Sequence, residues 1–262
     1  MAAQAAIEFD VGANPRRITA GLNARLPDDT IVTADAGTTA DWYGHHIRLR
    51  AGMRGDLSGR LATMMAAMPY AVAAKFAFPD RPVVCTIGDG AFQMLGMNEL
   101  ITVKKYLDRW TNKQLIVLVQ HNDDLSQVSW EMRTEDGDPV WPASQDVESV
   151  DYAAYAELLG FTGIHIDSDD QIDAALDRAF ANPGVTVLDA RVSRNVPPLP
   201  AHITKEYALN TAKSLLSIDP HEVGVVVDSA KALVSEQVQR VRGALHLRHE
   251  TDEPAEGGDD RG

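Results

Sequence analysis

Five short apolar runs constrain this chain more than any other feature, because a half-solvated strand would alternate with polar residues and these do not. Pro82-Val83-Val84-Cys85-Thr86-Ile87 and Leu115-Ile116-Val117-Leu118-Val119 are the clearest. Thr30–Ala34, Val185–Ala190 and the weaker Thr162–Ile166 complete the set. Runs of this kind mark strands buried on both faces of a parallel sheet. Helical patterns fill the intervals: Ile18–Leu26, Met64–Phe76, Phe92–Trp110, Tyr152–Leu159 and Gln171–Phe180. In the third of these, Met94, Met97, Leu100, Ile101 and Val103 form an apolar stripe at helical spacing. Alternating β and α at these intervals predicts an α/β fold: a doubly wound, mostly parallel sheet with helices on both faces. We divide the chain into a linker-like segment over 1–17, one domain over 18–196 and a C-terminal extension over 197–249. That extension holds a helical pattern at Ser229–Leu247. An acidic tail over 250–262 is expected to be disordered, having too little apolar surface to offset its ordering entropy.

Ligands in such sheets sit where strands end, so the residues just after each run matter most. Pro82–Ile87 runs directly into Gly88-Asp89-Gly90-Ala91-Phe92 and a helix. Two glycines allow a tight turn and close approach to a ligand, and a new helix offers free N–H groups to a phosphate. A carboxylate there would repel a bare phosphate, but it suits a Mg²⁺ ion sharing its oxygens between protein and phosphate. Gly-Asp-Gly alone is most often an ordinary turn, and Gln93 stands where a dinucleotide fingerprint needs its third glycine. The next run exits into Gln120-His121-Asn122-Asp123-Asp124, a second oxygen-rich turn expected at the same edge of the sheet. Two such turns can meet at one ion, or they can simply be polar loops.

Other classes are disfavoured. The formal net charge is −14, with a pI near 4.9, which repels nucleic-acid phosphates and anionic membranes. Cys85 is the sole cysteine, so no internal disulfide or CxxC site is possible and a reducing compartment is the default. Neither a signal peptide nor a long apolar span is recognisable, and the protein reads as cytoplasmic. G-x-S-x-G, P-loop and H-E-x-x-H patterns are absent. His45-His46 have no third ligand near them in sequence and read as surface or channel residues, and Glu131 reads as a helix-surface residue.

The order of these segments resembles the cofactor domain of thiamine-diphosphate enzymes of the pyruvate oxidase and acetolactate synthase type. Gly88-Asp89-Gly90, a helix, an apolar strand and then Asn122 match the thiamine-diphosphate motif. Asp35-Ala36-Gly37-Thr38-Thr39 is similar to the D-x-G-T turn that opens the domain. Ala62-Thr63-Met64-Met65-Ala66-Ala67-Met68-Pro69 resembles its G-[ST]-M-G-x-x-x-P segment, and Leu125–Met132 its stretch after the asparagine. The resemblance covers about Ile18–Val192.

Several expectations follow from that resemblance. Asp89 and Asn122 would bind Mg²⁺ through their side chains and Asp124 through its backbone carbonyl. Gly90 and Ala91 would donate N–H groups to the diphosphate beside Gly88, and Gly37, Thr38 and Thr39 would grip it from the other side. Thr63 and Met64 would support the cofactor, while Gln127 and Val128 would approach the thiazolium and a 2-keto acid substrate. Where this family commonly has two asparagines, the chain has His121-Asn122-Asp123, so a register slip would make Asp123 the ligand. His121 is a candidate to face the reacting centre. Ala62 and Met65 replace glycines. The activating glutamate of the family lies on a separate pyrimidine-binding domain. The resemblance therefore implies a catalytic residue outside this chain, association with itself or a partner, and little activity alone. It implies a natural subunit or a truncated piece of such an enzyme. The alternatives are a non-catalytic cofactor-binding module serving regulation or assembly, and an unrelated phosphate-binding α/β protein.

Overall fold

A computed structural model describes residues 12–198 and 205–216. Its elements run α1 (Pro15–Arg25), β1 (Ile31–Ala34), α2 (Thr38–His46), β2 (Arg54–Leu57), α3 (Ala67–Ala77) and β3 (Val83–Gly88). Then come α4 (Asp89–Ala91), a π-helical turn (Phe92–Gly96), α5 (Met97–Tyr106), β4 (Leu115–His121), α6 (Ser126–Glu131) and α7 (Pro142–Gln145). The chain continues through α8 (Tyr152–Leu158), β5 (Thr162–Ile166), α9 (Ile172–Ala181), β6 (Val185–Arg191) and α10 (Lys205–Leu216). The six strands form one sheet in the order β2-β1-β3-β4-β6-β5, every pair parallel. The doubly wound α/β fold is therefore as the apolar runs require.

Successive strand residues face opposite sides, and each side has its own core. Val83, Cys85, Ile87, Val117 and Val119 pack with Met68, Phe92, Leu100 and Tyr152 beneath α3, α5 and α8. Val84, Ile116, Leu118 and Leu188 pack on the other side with Ile18, Leu22, Ile172 and Leu176 of α1 and α9. The β3–β4 register pairs Gly88 with Gln120, so both strands end level at one rim of the sheet.

Several local differences from the sequence expectations have physical causes. β2 was not expected, because Arg54-Gly55-Asp56-Leu57 is an edge strand with mostly exposed side chains and carries no apolar signal. α1 begins earlier than Ile18, at Pro15, where Asn14 accepts the Arg16 N–H at 2.9 Å. Ala13 also bridges Val192, so residues within the linker-like segment join the sheet. α3 begins at Ala67 instead of Met64, because Ala62 and Met65 take φ of 46° and 66°. The long helix after β3 is interrupted by the π turn, in which a Cβ on Gly96 would lie 2.2 Å from the Phe92 ring. The Ser229–Leu247 helix and the acidic tail lie outside the described residues.

Candidate cofactor and metal site

Asp89 stands at the end of β3, 2% exposed, and organises the strand ends around it. Its Oδ1 accepts the Gly90 N–H at 2.9 Å. Its Oδ2 accepts two successive N–H groups from the end of β4, Asn122 at 2.9 Å and Asp123 at 2.6 Å. Burial pushes the Asp89 carboxyl up, and these amides and His121 pull it back. The Asp89 and Asn122 turns therefore meet at one rim, joined by hydrogen bonds.

Asn122 Oδ1 accepts the Asp124 N–H at 3.1 Å, and its Nδ2 donates to Ser126 Oγ at 2.8 Å. The Asp124 carboxylate is turned inward, accepting Ser126 Oγ at 2.9 Å and Ser129 Oγ at 2.8 Å. With that carboxylate committed, the oxygen Asp124 can offer an ion is its backbone carbonyl. Asp123 is committed elsewhere. Its Oδ1 lies 2.8 Å from His121 Nε2, and its Oδ2 accepts Arg191 Nη1 at 2.6 Å. Asn122 and Asp124 line the cleft described next; Asp123 is not among its lining residues.

That cleft, about 430 Å³, opens where β1, β3 and β4 end. One wall is Gly37, Thr38 and Thr39; another is Gly88, Asp89, Gly90 and Ala91; Met64, Gln127 and Val128 close it. Gly37 holds φ of 83°, a left-handed conformation that glycine adopts without strain. A Cβ on Gly90 would lie 2.7 Å from Leu125 Cδ2, so a larger residue there would make the Leu125 side chain shift. Asp35 fastens the Met64 segment: its Oδ1 accepts the Ala36 and Met65 N–H groups at 3.0 and 2.8 Å, its Oδ2 that of Ala67 at 2.9 Å. Thr63 is the sequence-derived residue that does not line the cleft; its N–H bonds to Ser58 Oγ at 3.1 Å.

Four contributors, Asp35, Gln120, Asp189 and Arg191, were not among the residues expected from sequence. Asp35 was visible as the first residue of the D-x-G-T turn, but its partners lie far along the chain. Gln120, 2% exposed, lines the cleft with an Oε1 that has no hydrogen-bond partner, and Gln127 Oε1 is likewise buried and unpartnered. Asp189 and Arg191 carried no signal beyond ending an apolar run. His121 does not face the cleft; its Nδ1 lies 2.7 Å from Asp189 Oδ1. Burial pulls its pKa down, but the hydrogen bond and charge of Asp189 outweigh it and hold the imidazole above its usual value. His46 is buried and pushed down to about 4, chiefly by that burial. Neither it nor His45 joins a cluster of metal-ligating side chains among the described residues.

The description "Thiamine pyrophosphate enzyme, C-terminal TPP binding domain" matches residues 35–190, more than half of the chain. The chain belongs to the thiamine pyrophosphate enzyme family. Among its relatives is a Bacillus subtilis protein named as containing thiamine pyrophosphate, 30% identical over 202 residues, which are 77% of this chain and 33% of that protein. The acetolactate synthase isozyme 2 large subunit of Escherichia coli is 34% identical over 184 residues, 68% of this chain and 32% of its own. The acetolactate synthase large subunit of Parasynechococcus marenigrum is 31% identical over 217 residues, 75% and 33% respectively. The chain thus spans about a third of the length of the curated relatives it matches.

The cleft's chemistry fits the family's cofactor and an accompanying divalent ion. Carboxylate, amide and carbonyl oxygens suit a hard cation such as Mg²⁺. The unpartnered Gln120 and Gln127 oxygens leave acceptors for a ligand's N–H or O–H groups, including those of ion-bound water. No described helix is long and apolar enough to cross a membrane.

Proposed function

We propose that this chain binds thiamine diphosphate through Mg²⁺ and forms the diphosphate-holding half of a 2-keto acid decarboxylating enzyme of the acetolactate synthase or oxidase type. The observation that carries the reading is the joining of Asp89 to the Asn122 turn through its Oδ2, at the mouth of a cleft between strand ends. In this reading Asp89 and Asn122 bind the ion by their side chains and Asp124 by its carbonyl. The Gly90 and Ala91 N–H groups, with Gly37, Thr38 and Thr39, hold the diphosphate. Met64 is an apolar support beneath the cofactor, and Gln127 and Val128 face the substrate side.

Bound thiamine diphosphate supplies the electron sink on which a 2-keto acid such as pyruvate loses carbon dioxide. The chain's own work is to bind and orient. Asp89 and Asn122 would hold the ion, Asp89 offsetting part of its charge, and the loops after β1 and β3 would hold the diphosphate. Activation requires a glutamate from a pyrimidine-binding domain outside these residues, so the active site is completed by association with another copy, another chain or further sequence. We place the protein in the cytoplasm. The chain alone, saturated with Mg²⁺ and thiamine diphosphate, is expected to consume no pyruvate in a coupled assay. Sustained turnover by the pure chain would contradict this division of labour.

A further inference from the structure

The His121-Asn122-Asp123 turn departs from the two asparagines of the resembling enzymes, and β6 holds the partners that accommodate it. Asp123 takes φ of 57°, a left-handed conformation that an aspartate tolerates but does not prefer. In that conformation the N–H groups of Asn122 and Asp123 converge on one Asp89 oxygen, at 2.9 and 2.6 Å. Successive N–H groups around a left-handed residue form a concavity suited to an anion, here a carboxylate. Locally, Asn122 Oδ1 accepts the Asp124 N–H at 3.1 Å across the turn.

The Asp123 carbonyl accepts the Val147 N–H at 3.1 Å, and its side chain is held in part from the neighbouring strand. β6 pairs with β4 so that His121 lies opposite Arg191. Arg191 Nη1 donates to Asp123 Oδ2 at 2.6 Å, and its Nη2 donates to Ser149 Oγ at 2.8 Å. The other oxygen of Asp123 meets His121 Nε2 at 2.8 Å. That ring is fixed in turn by Asp189 Oδ1 at 2.7 Å, while Asp189 Oδ2 accepts the Tyr152 N–H at 3.0 Å. One Asp123 oxygen is thus held by Arg191 of β6 and the other by His121 of β4, and Asp123 does not line the cleft.

We propose that Arg191, acting with Asp189 through His121, is a positioning residue for the metal loop. By holding Asp123 left-handed and turned aside, it leaves Asn122 and the Asp124 carbonyl to face the ion. The proposal rests on the metal reading of the cleft and extends it to residues that touch neither ion nor cofactor. It also distinguishes two roles for Asp123. As part of the brace, its carboxylate is dispensable so long as an acceptor remains. As a ligand, its charge is essential.

The test is calorimetric titration of the full chain with Mg²⁺ in the presence of thiamine diphosphate, for the unaltered protein, Arg191→Met, Arg191→Lys, Asp123→Asn and Asp89→Ala. Outer partners of metal ligands typically tune affinity by about 10–100-fold. Arg191→Met is expected to weaken Mg²⁺ binding at least about tenfold, while the metal-free protein stays folded. Arg191→Lys should recover part of the loss, and Asp123→Asn should retain binding that Asp89→Ala abolishes. Unaltered Mg²⁺ affinity in Arg191→Met overturns the brace while leaving the metal site standing. Loss of binding in Asp123→Asn as complete as in Asp89→Ala overturns it by making Asp123 a ligand. Absence of Mg²⁺-dependent binding in the unaltered chain removes the metal reading itself, and the brace with it.

Discussion

Ala62 and Met65 sit where the resembling enzymes carry glycine, and both adopt the left-handed backbone that glycine would take freely. A left-handed Ala or Met costs about 1–2 kcal/mol, against which a glycine loses about 0.5–1 kcal/mol more on ordering. The exposed Ala62 side chain gains too little from burial to repay the difference, whereas Met65, 38% exposed, does gain from it. Ala62→Gly should therefore stabilise the protein by about 0.5–1 kcal/mol, read as a rise in denaturation midpoint at unchanged slope. A fall in midpoint would show that this side chain makes contacts outweighing the strain. The residue scale also marks a limit of legibility. The glycine substitutions were visible in sequence, but their conformation was not, because it is imposed by Asp35 accepting the Met65 and Ala67 N–H groups from a distant strand end. Thr63 does not line the cleft, although Met64 beside it does.

Between elements, α2 and α6 bring two carboxylates together at the side of the cleft bearing Gln127. Asp41 on α2 is pushed up to about 6, first by burial and then by the charge of Glu131 on α6, which accepts Gln127 Nε2 at 3.0 Å. In the unfolded chain Asp41 loses its proton near 3.8, while the folded protein holds it to about 6. The folded state thus binds more protons between these values, so stability contributed by Asp41 falls as pH rises from about 4 to about 6. Asp41→Asn removes that loss: its melting temperature should exceed that of the unaltered protein at pH 7, and the gap should close toward pH 4. Parallel curves across this range would mean that Asp41 titrates normally. Elements that carry their own apolar signal, β1, β3, β4, β5 and β6, were legible in the sequence. β2 and α2 were not. β2 exposes its side chains at the sheet edge, and α2 follows the glycine turn with a polar, histidine-rich sequence whose burial depends on α1.

At the scale of the whole molecule, one parallel sheet places Gly88 opposite Gln120 and so brings two loops far apart in sequence to a single rim. The parallel direction of the strands was legible as a class, because near-continuous apolar runs suit strands buried on both faces; their order was not. Which loops meet was legible through the motif alone, and the brace from β6 was not, since Asp189 and Arg191 act only after β4 and β6 have paired. In the proposed function the sheet juxtaposes a carboxylate and an amide that clamp a divalent ion onto a diphosphate. Calorimetry with thiamine diphosphate, with and without Mg²⁺, comparing the chain with its Asp89→Ala variant, tests it most directly. Binding that requires Mg²⁺ and disappears in Asp89→Ala is the predicted result; equal binding by both proteins, or binding indifferent to Mg²⁺, would contradict it.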